Sequence, residues 1–133
     1  MLVFAIVAMA ASAQTGRLYT TANDTITNTS VATSDVITLA GSYKSLAVMV
    51  KYTQLSGTTG GTAVFQGSID GTNYTTLTDA GGSVKMYPSS TLTIASAAVF
   101  HFVVQDVPFK YFKVVSTGSG TSSTKVEVKY LYK

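Results

Sequence analysis

The chain has no cysteine, no tryptophan and one histidine among 133 residues. Without cysteine there is no disulfide framework, no thiolate nucleophile, no zinc–sulfur site and no iron–sulfur cluster. The lone histidine, His101, cannot build a histidine-rich metal site. Only six Asp and Glu are available as acid, base or ligand. Charge of either sign is scarce: 11% of residues carry one, about half the ~25% of an ordinary soluble domain. The net charge of +3 is too small and too scattered for a nucleic-acid surface. Most enzyme chemistries are thinned out by these absences alone.

Hydroxyl and β-branched side chains take the place of charge, with 21 Thr, 15 Ser and eight Tyr. Thr, Val and Tyr favour pleated strands over helices. A surface of Thr and Ser gives weak electrostatic protection against association. The composition therefore suits an all-β domain that lives in contact with neighbours, as in a shell or fibre.

The first residues are a separate matter. Leu2–Ala11 is an uncharged apolar decamer whose large side chains are Leu2, Val3, Phe4, Ile6, Val7 and Met9. As a helix it would span about 15 Å, half of a ~30 Å hydrocarbon core, so it is no transmembrane span. Ala11-Ser12-Ala13 before Gln14 matches the small-x-small cleavage pattern of a signal peptide, although no Lys or Arg precedes the apolar run. Two readings follow: a signal peptide removed ahead of Gln14, or a retained assembly arm buried against a partner. Each large side chain buried in that way is worth roughly 1.5–3 kcal/mol. Residues 1–16 are accordingly set apart from a single domain over 17–133.

From Thr20 onward short extended runs alternate with Gly, Asp, Asn and Ser, and no window sustains a helical period. Strands are expected over Thr25–Val31, Asp35–Ala40, Ser45–Thr53, Thr62–Ile69, Asn73–Thr78, Ser83–Tyr87, Thr91–Ile94, Ala98–Val104, Phe109–Thr117 and Lys125–Tyr132. In the third of these, Leu46, Val48, Val50 and Tyr52 share one face, with Ala47, Met49 and Lys51 on the other. Phe100, Phe102 and Val104 face together, as do Phe112 with Val114, and Val126 with Val128, Tyr130 and Tyr132. Asp70-Gly71 predicts a two-residue hairpin turn with positive φ at both positions. About eight short strands with a turn every 8–12 residues indicate an antiparallel β-sandwich, jelly-roll-like in type.

The segment Gln66-Gly67-Ser68-Ile69-Asp70-Gly71-Thr72-Asn73-Tyr74-Thr75-Thr76-Leu77 resembles a hairpin of β-sandwich proteins in tailed-phage particles and of discoidin-like carbohydrate-binding domains. Phe109–Val115, the Thr117-Gly118-Ser119-Gly120-Thr121 loop and Val126–Leu131 look more specifically like the phage set. The resemblance covers roughly Thr62 to Lys133. It implies a structural protein of a virion, of the decoration, head-fibre or auxiliary capsid type.

Candidate chemistry is thin. His101 lies between Phe100 and Phe102 and alternates away from them, and nothing marks a Ser or Asp partner for it. Asp24, Asp35, Asp70, Asp79 and Asp106 sit at apparent turns, where local side-chain-to-backbone bonds explain them. A calcium site from Asp70 and Asp79 would lack the D-x-D-x-D-G loop. Gly57–Gly61 and Gly118–Gly120 lack the lysine and following helix of a phosphate loop. No cofactor or metal is implied. Tyr74, Tyr87, Tyr111, Tyr130 and Tyr132 could offer a sugar-stacking face, or they are core tyrosines; Tyr74, Tyr87 and Tyr111 are the candidate contacts to a ligand or a neighbour.

The expectation is a non-enzymatic structural subunit of a virus particle, a homo-oligomer that packs on capsid or other virion proteins. The alternatives are a secreted carbohydrate-binding module, with the leader removed, or a self-assembling extracellular filament or surface-layer subunit.

Overall fold

Period-two alternation of apolar side chains drives this chain into strands. The computed structural model describes residues 17–20, 24–41, 43–78, 84–87, 93–94 and 98–133. In chain order the strands are β1 (Arg17–Thr20), β2 (Asp24–Thr27), β3 (Val31–Thr33), β4 (Ile37–Thr38), β5 (Ser45–Gly57), β6 (Gly61–Ser68), β7 (Thr75–Thr76), β8 (Val84–Tyr87), β9 (Val99–Gln105), β10 (Tyr111–Gly118) and β11 (Ser122–Tyr132). No helix occurs among the described residues.

The strands form two antiparallel sheets. One runs β1-β11-β5-β9-β8 with β2 also on β11; the other runs β3-β10-β6-β7 with β4 also on β10. β1 and β2 follow one another along the same edge of β11, with Thr20 opposite Lys129 and Asp24 opposite Val126. β3 and β4 do the same along β10, where Thr33 meets Val115 and Ile37 meets Phe112. Three residues on that edge, Ser34–Val36, thus stand opposite two on β10, Lys113 and Val114, the one-residue excess of a bulge.

The pairing is nested. The first edge strand (β1 with β2) lies on the last strand β11, the second (β3 with β4) on β10, then β5 on β9 and β6 on β7. This is one long hairpin rolled over itself, the winding of a jelly roll. β8 is added outside that scheme, on the free side of β9.

The inward faces are those expected from the alternation. Leu46, Val48, Val50, Tyr52, Phe100, Phe102, Val104, Phe112, Val114, Val126 and Val128 are all buried. Phe65 from β6 sits at the centre of the packing, its ring stacked 4.8 Å from Phe102 of the facing sheet and 5.5 Å from Phe112. Tyr52 spans the gap between the sheets, and its hydroxyl hydrogen-bonds the Ser116 hydroxyl at 2.7 Å in the interior. Burial pushes the Tyr52 phenol up to about 12, and the Ser116 bond only partly opposes this.

Several local expectations are corrected. Thr25–Val31 is not one strand: the chain turns at Asn28–Ser30 and passes from one sheet to the other. Asn28 takes φ of 50°, Ser30 N–H donates to the Thr27 carbonyl, and the Ser30 hydroxyl accepts from Thr27 N–H. β5 also runs on to Gly57, with Gln54, Ser56 and Gly57 paired to Thr124, Ser123 and Ser122 and the exposed Leu55 at a register shift. The strand expected from Phe109 begins at Tyr111. Of the Thr91–Ile94 run, Thr93 makes an isolated bridge to Thr62 and Ile94 is buried; the rest lies outside the described residues.

Candidate interaction surfaces

The β6–β7 hairpin forms, but not through the expected two-residue turn. Among its turn residues only Gly71 has positive φ, at 78°, and Ile69–Tyr74 make a longer loop organised by Asp70. One Asp70 carboxylate oxygen accepts from Thr72 N–H and Asn73 N–H, each at 2.8 Å, and from the Ser68 hydroxyl at 2.8 Å. The other accepts from the Asn73 side-chain amide at 2.7 Å. The Ser68 hydroxyl in turn accepts from Gly71 N–H at 3.0 Å. The Asn73 backbone bond first, then those from Thr72, the Asn73 side chain and Ser68, hold the Asp70 carboxyl well below the usual carboxylate range. These bonds commit the carboxylate to its own loop. Asp79, its suggested calcium partner, lies outside the described residues, among which no group of three His, Cys, Asp or Glu could hold a metal ion.

The sign of the pH effect follows. Asp70 binds its proton less readily in the folded loop, so its contribution is complete above the unfolded value near ~4 and is lost as pH falls through the lower folded value. Amide NMR of the hairpin should therefore show Thr72 and Asn73 losing protection in acid while core amides hold. In an Asp70→Asn variant that acid response should vanish. Persistence of the same response in the variant would assign it to another group.

The tyrosines named as contacts are placed unequally. Tyr74 is half-buried, and the Lys113 ammonium sits over its ring, 3.9 Å from the centroid. The Lys110 ammonium lies 5.3 Å from the Tyr111 ring centroid. Both contacts are cation–π pairs. A sugar stacking on the same face of Tyr74 would have to displace Lys113. The Tyr74 hydroxyl is shielded and meets no hydrogen-bond partner among the described residues. Tyr87 lies in β8 at the register position opposite His101. Tyr130 and Tyr132 are half-buried against the core, and Tyr132 packs on Tyr43 with ring centroids 4.3 Å apart. His101 projects from the outer face of β9 and is exposed. The arm residues Leu2, Val3, Phe4, Ile6, Val7 and Met9 lie outside the described residues.

Sequence reading missed a surface that only the register creates. On the outer face of the second sheet, Thr33 (β3), Val115 (β10) and Val64 (β6) stand in one cross-strand row, and Val31, Thr117 and Thr62 in the next. None is charged, and Val31 is 59% exposed. The opposite outer face carries Lys51, Glu127 and Lys125, with Glu127 within 3.7 Å of Lys51 and 3.5 Å of Lys125. The two faces of the sandwich therefore differ: one holds an ionic cluster, the other a neutral Val/Thr field. Among the described residues the first sheet ends at β1–β2 and β8, and the second at β3–β4 and β7. Such edges present unpaired main-chain groups to a neighbour.

Among the described residues no helix is long and apolar enough to cross a membrane. Comparison with known proteins finds no matching family model, no matching curated protein and no matching solved structure.

Proposed function

We propose that this protein is a non-enzymatic structural subunit that acts by packing against copies of itself and other proteins of a virus particle, as a decoration, auxiliary capsid or fibre component. The observation that carries the packing part is the uncharged field of Val31, Thr33, Thr62, Val64, Val115 and Thr117 on one outer face. Val methyls there lose water on contact, and the flanking Thr hydroxyls supply hydrogen bonds without desolvating a charge. The edges of the same sheet add main-chain donors and acceptors. The Leu2–Ala11 segment supplies a further apolar element for contact between copies. The virion assignment rests on the resemblance of the 62–133 region to phage β-sandwich proteins.

The reading makes a direct demand on localisation. Mass spectrometry of density-purified virus particles should find this chain at a fixed ratio to the major shell protein, and high salt should not strip it. Its absence from particles, with a product beginning at Gln14 in the medium that binds immobilised glycans, would replace this reading with the secreted carbohydrate-binding one.

A further inference from the structure

The charged outer face of the first sheet is interrupted by an apolar trough of about 320 Å³. Its side chains are Ala47 and Met49 from β5, His101 from β9, and Lys129 and Leu131 from β11. The cause is local. Leu131, Ala47 and Val103 stand in one cross-strand row, and the small Ala47 on the central strand leaves a dent between two larger neighbours. Leu131 remains 39% exposed at its margin. Lys129 is the one charge in the lining, and its ammonium can stay in water while its stem flanks the dent.

The chain itself carries a matching occupant. Arg17, the first residue of β1, pairs with Tyr132 beside the Leu131 end of the trough, so residues 1–16 join the domain at that corner. From there the trough floor on β5 is two strand spacings away, about 10 Å. Ser12–Gly16 can span up to about 17 Å when extended. The tether is thus long enough for the decamer to turn back over its own sheet. In an extended segment Leu2, Phe4 and Ile6 project to one side, giving large apolar groups at the spacing a sheet face accepts.

We infer that Leu2–Ala11 of the same chain docks in this trough and covers Ala47, Met49 and Leu131 in the free monomer. A short tether gives an effective concentration in the millimolar range, so at micromolar protein the segment meets its own trough far more often than another copy's. The docked segment keeps an uncharged apolar decamer out of water before assembly. Crowding copies beyond the effective concentration allows the same contacts to be exchanged between neighbours, a low-cost route to an oligomer.

The absence of cysteine makes the test clean. A variant with Ile6→Cys and Met49→Cys is oxidised at low micromolar concentration beside one with Ile6→Cys and Val31→Cys on the opposite face. Circular dichroism and thermal melts of the reduced forms establish that both fold. The Met49 pair should close at least tenfold faster, as an intramolecular disulfide in a monomer. Equal rates for the two pairs, bonds formed mainly between molecules, or a purified chain that begins at Gln14 would each overturn the inference.

Discussion

Replacing Phe65 with alanine should lower the unfolding free energy by about 3–5 kcal/mol, the range for a large aromatic removed from a core that cannot collapse around the gap. Phe65 has 1% of its surface exposed and is stacked on both Phe102 and Phe112. It therefore joins the two sheets as well as filling space between them. A domain of this size commonly has about 5–15 kcal/mol in total, so the loss would consume a large share of its stability. Urea denaturation checks the value. Val64→Ala, the neighbouring position on the outer face, should cost about 1 kcal/mol or less. Equal losses at the two positions would mean that β6 does not present Phe65 to the core.

The second large effect lies in the backbone where β6 begins. Gly61 has φ of 135°, a conformation that L side chains rarely adopt, and a Cβ there would stand 2.1 Å from the Thr117 carbonyl oxygen. Backbone strain and displacement of the neighbouring strand each cost on the order of 1–3 kcal/mol. Gly61→Ala should therefore be destabilised by at least about 2 kcal/mol. Nothing flexible can absorb the clash, because the atom in the way belongs to β10, paired with β6 at Gly118 and Gly61. Gly120, with φ of 76° and nothing within 4 Å of its would-be Cβ, is the control for positive φ without crowding. Gly120→Ala should cost clearly less. Similar values for both would place the whole penalty in φ and none in the close approach of β6 to β10.

Much of the fold was legible because strand alternation is a local code. The faces of Ser45–Thr53, Ala98–Val104 and Lys125–Tyr132 could be assigned from apolar and polar parity alone, and Val48, Phe102 and Val128 are buried as that parity requires. Where the chain changes sheets the code is silent. Thr25–Val31 keeps its β-branched composition straight through the turn at Asn28–Ser30, and only the positive φ of Asn28 marks the crossing. Asp70-Gly71 announced a hairpin correctly, but Ser68 and Asn73 recruit the carboxylate into a wider loop, a cooperative choice that a dipeptide signal does not contain.

The interaction surfaces were less legible still, for the same physical reason. Tyr74 and Tyr111 stood out by type, yet the lysine over Tyr74 is Lys113, brought there by the β10–β6–β7 pairing rather than by sequence proximity. The neutral field joins Val31, Val64 and Val115 across three strands. No window of sequence contains all three. The apolar decamer was visible at once, whereas the dent at Ala47 needed Leu131 and Val103 placed on either side of it.

Assembly through neutral faces and an apolar segment is the central claim, and sedimentation velocity over a wide concentration range tests it most directly. The full chain should pass from monomer to a discrete larger species as concentration rises, with little dependence on salt because no charge pair drives the contact. A chain beginning at Gln14 should remain folded and monomeric across the same range. If the shortened chain assembles equally well, the apolar segment has no part in the assembly. If the full chain stays monomeric at every concentration, the account of this protein as a packing subunit is contradicted.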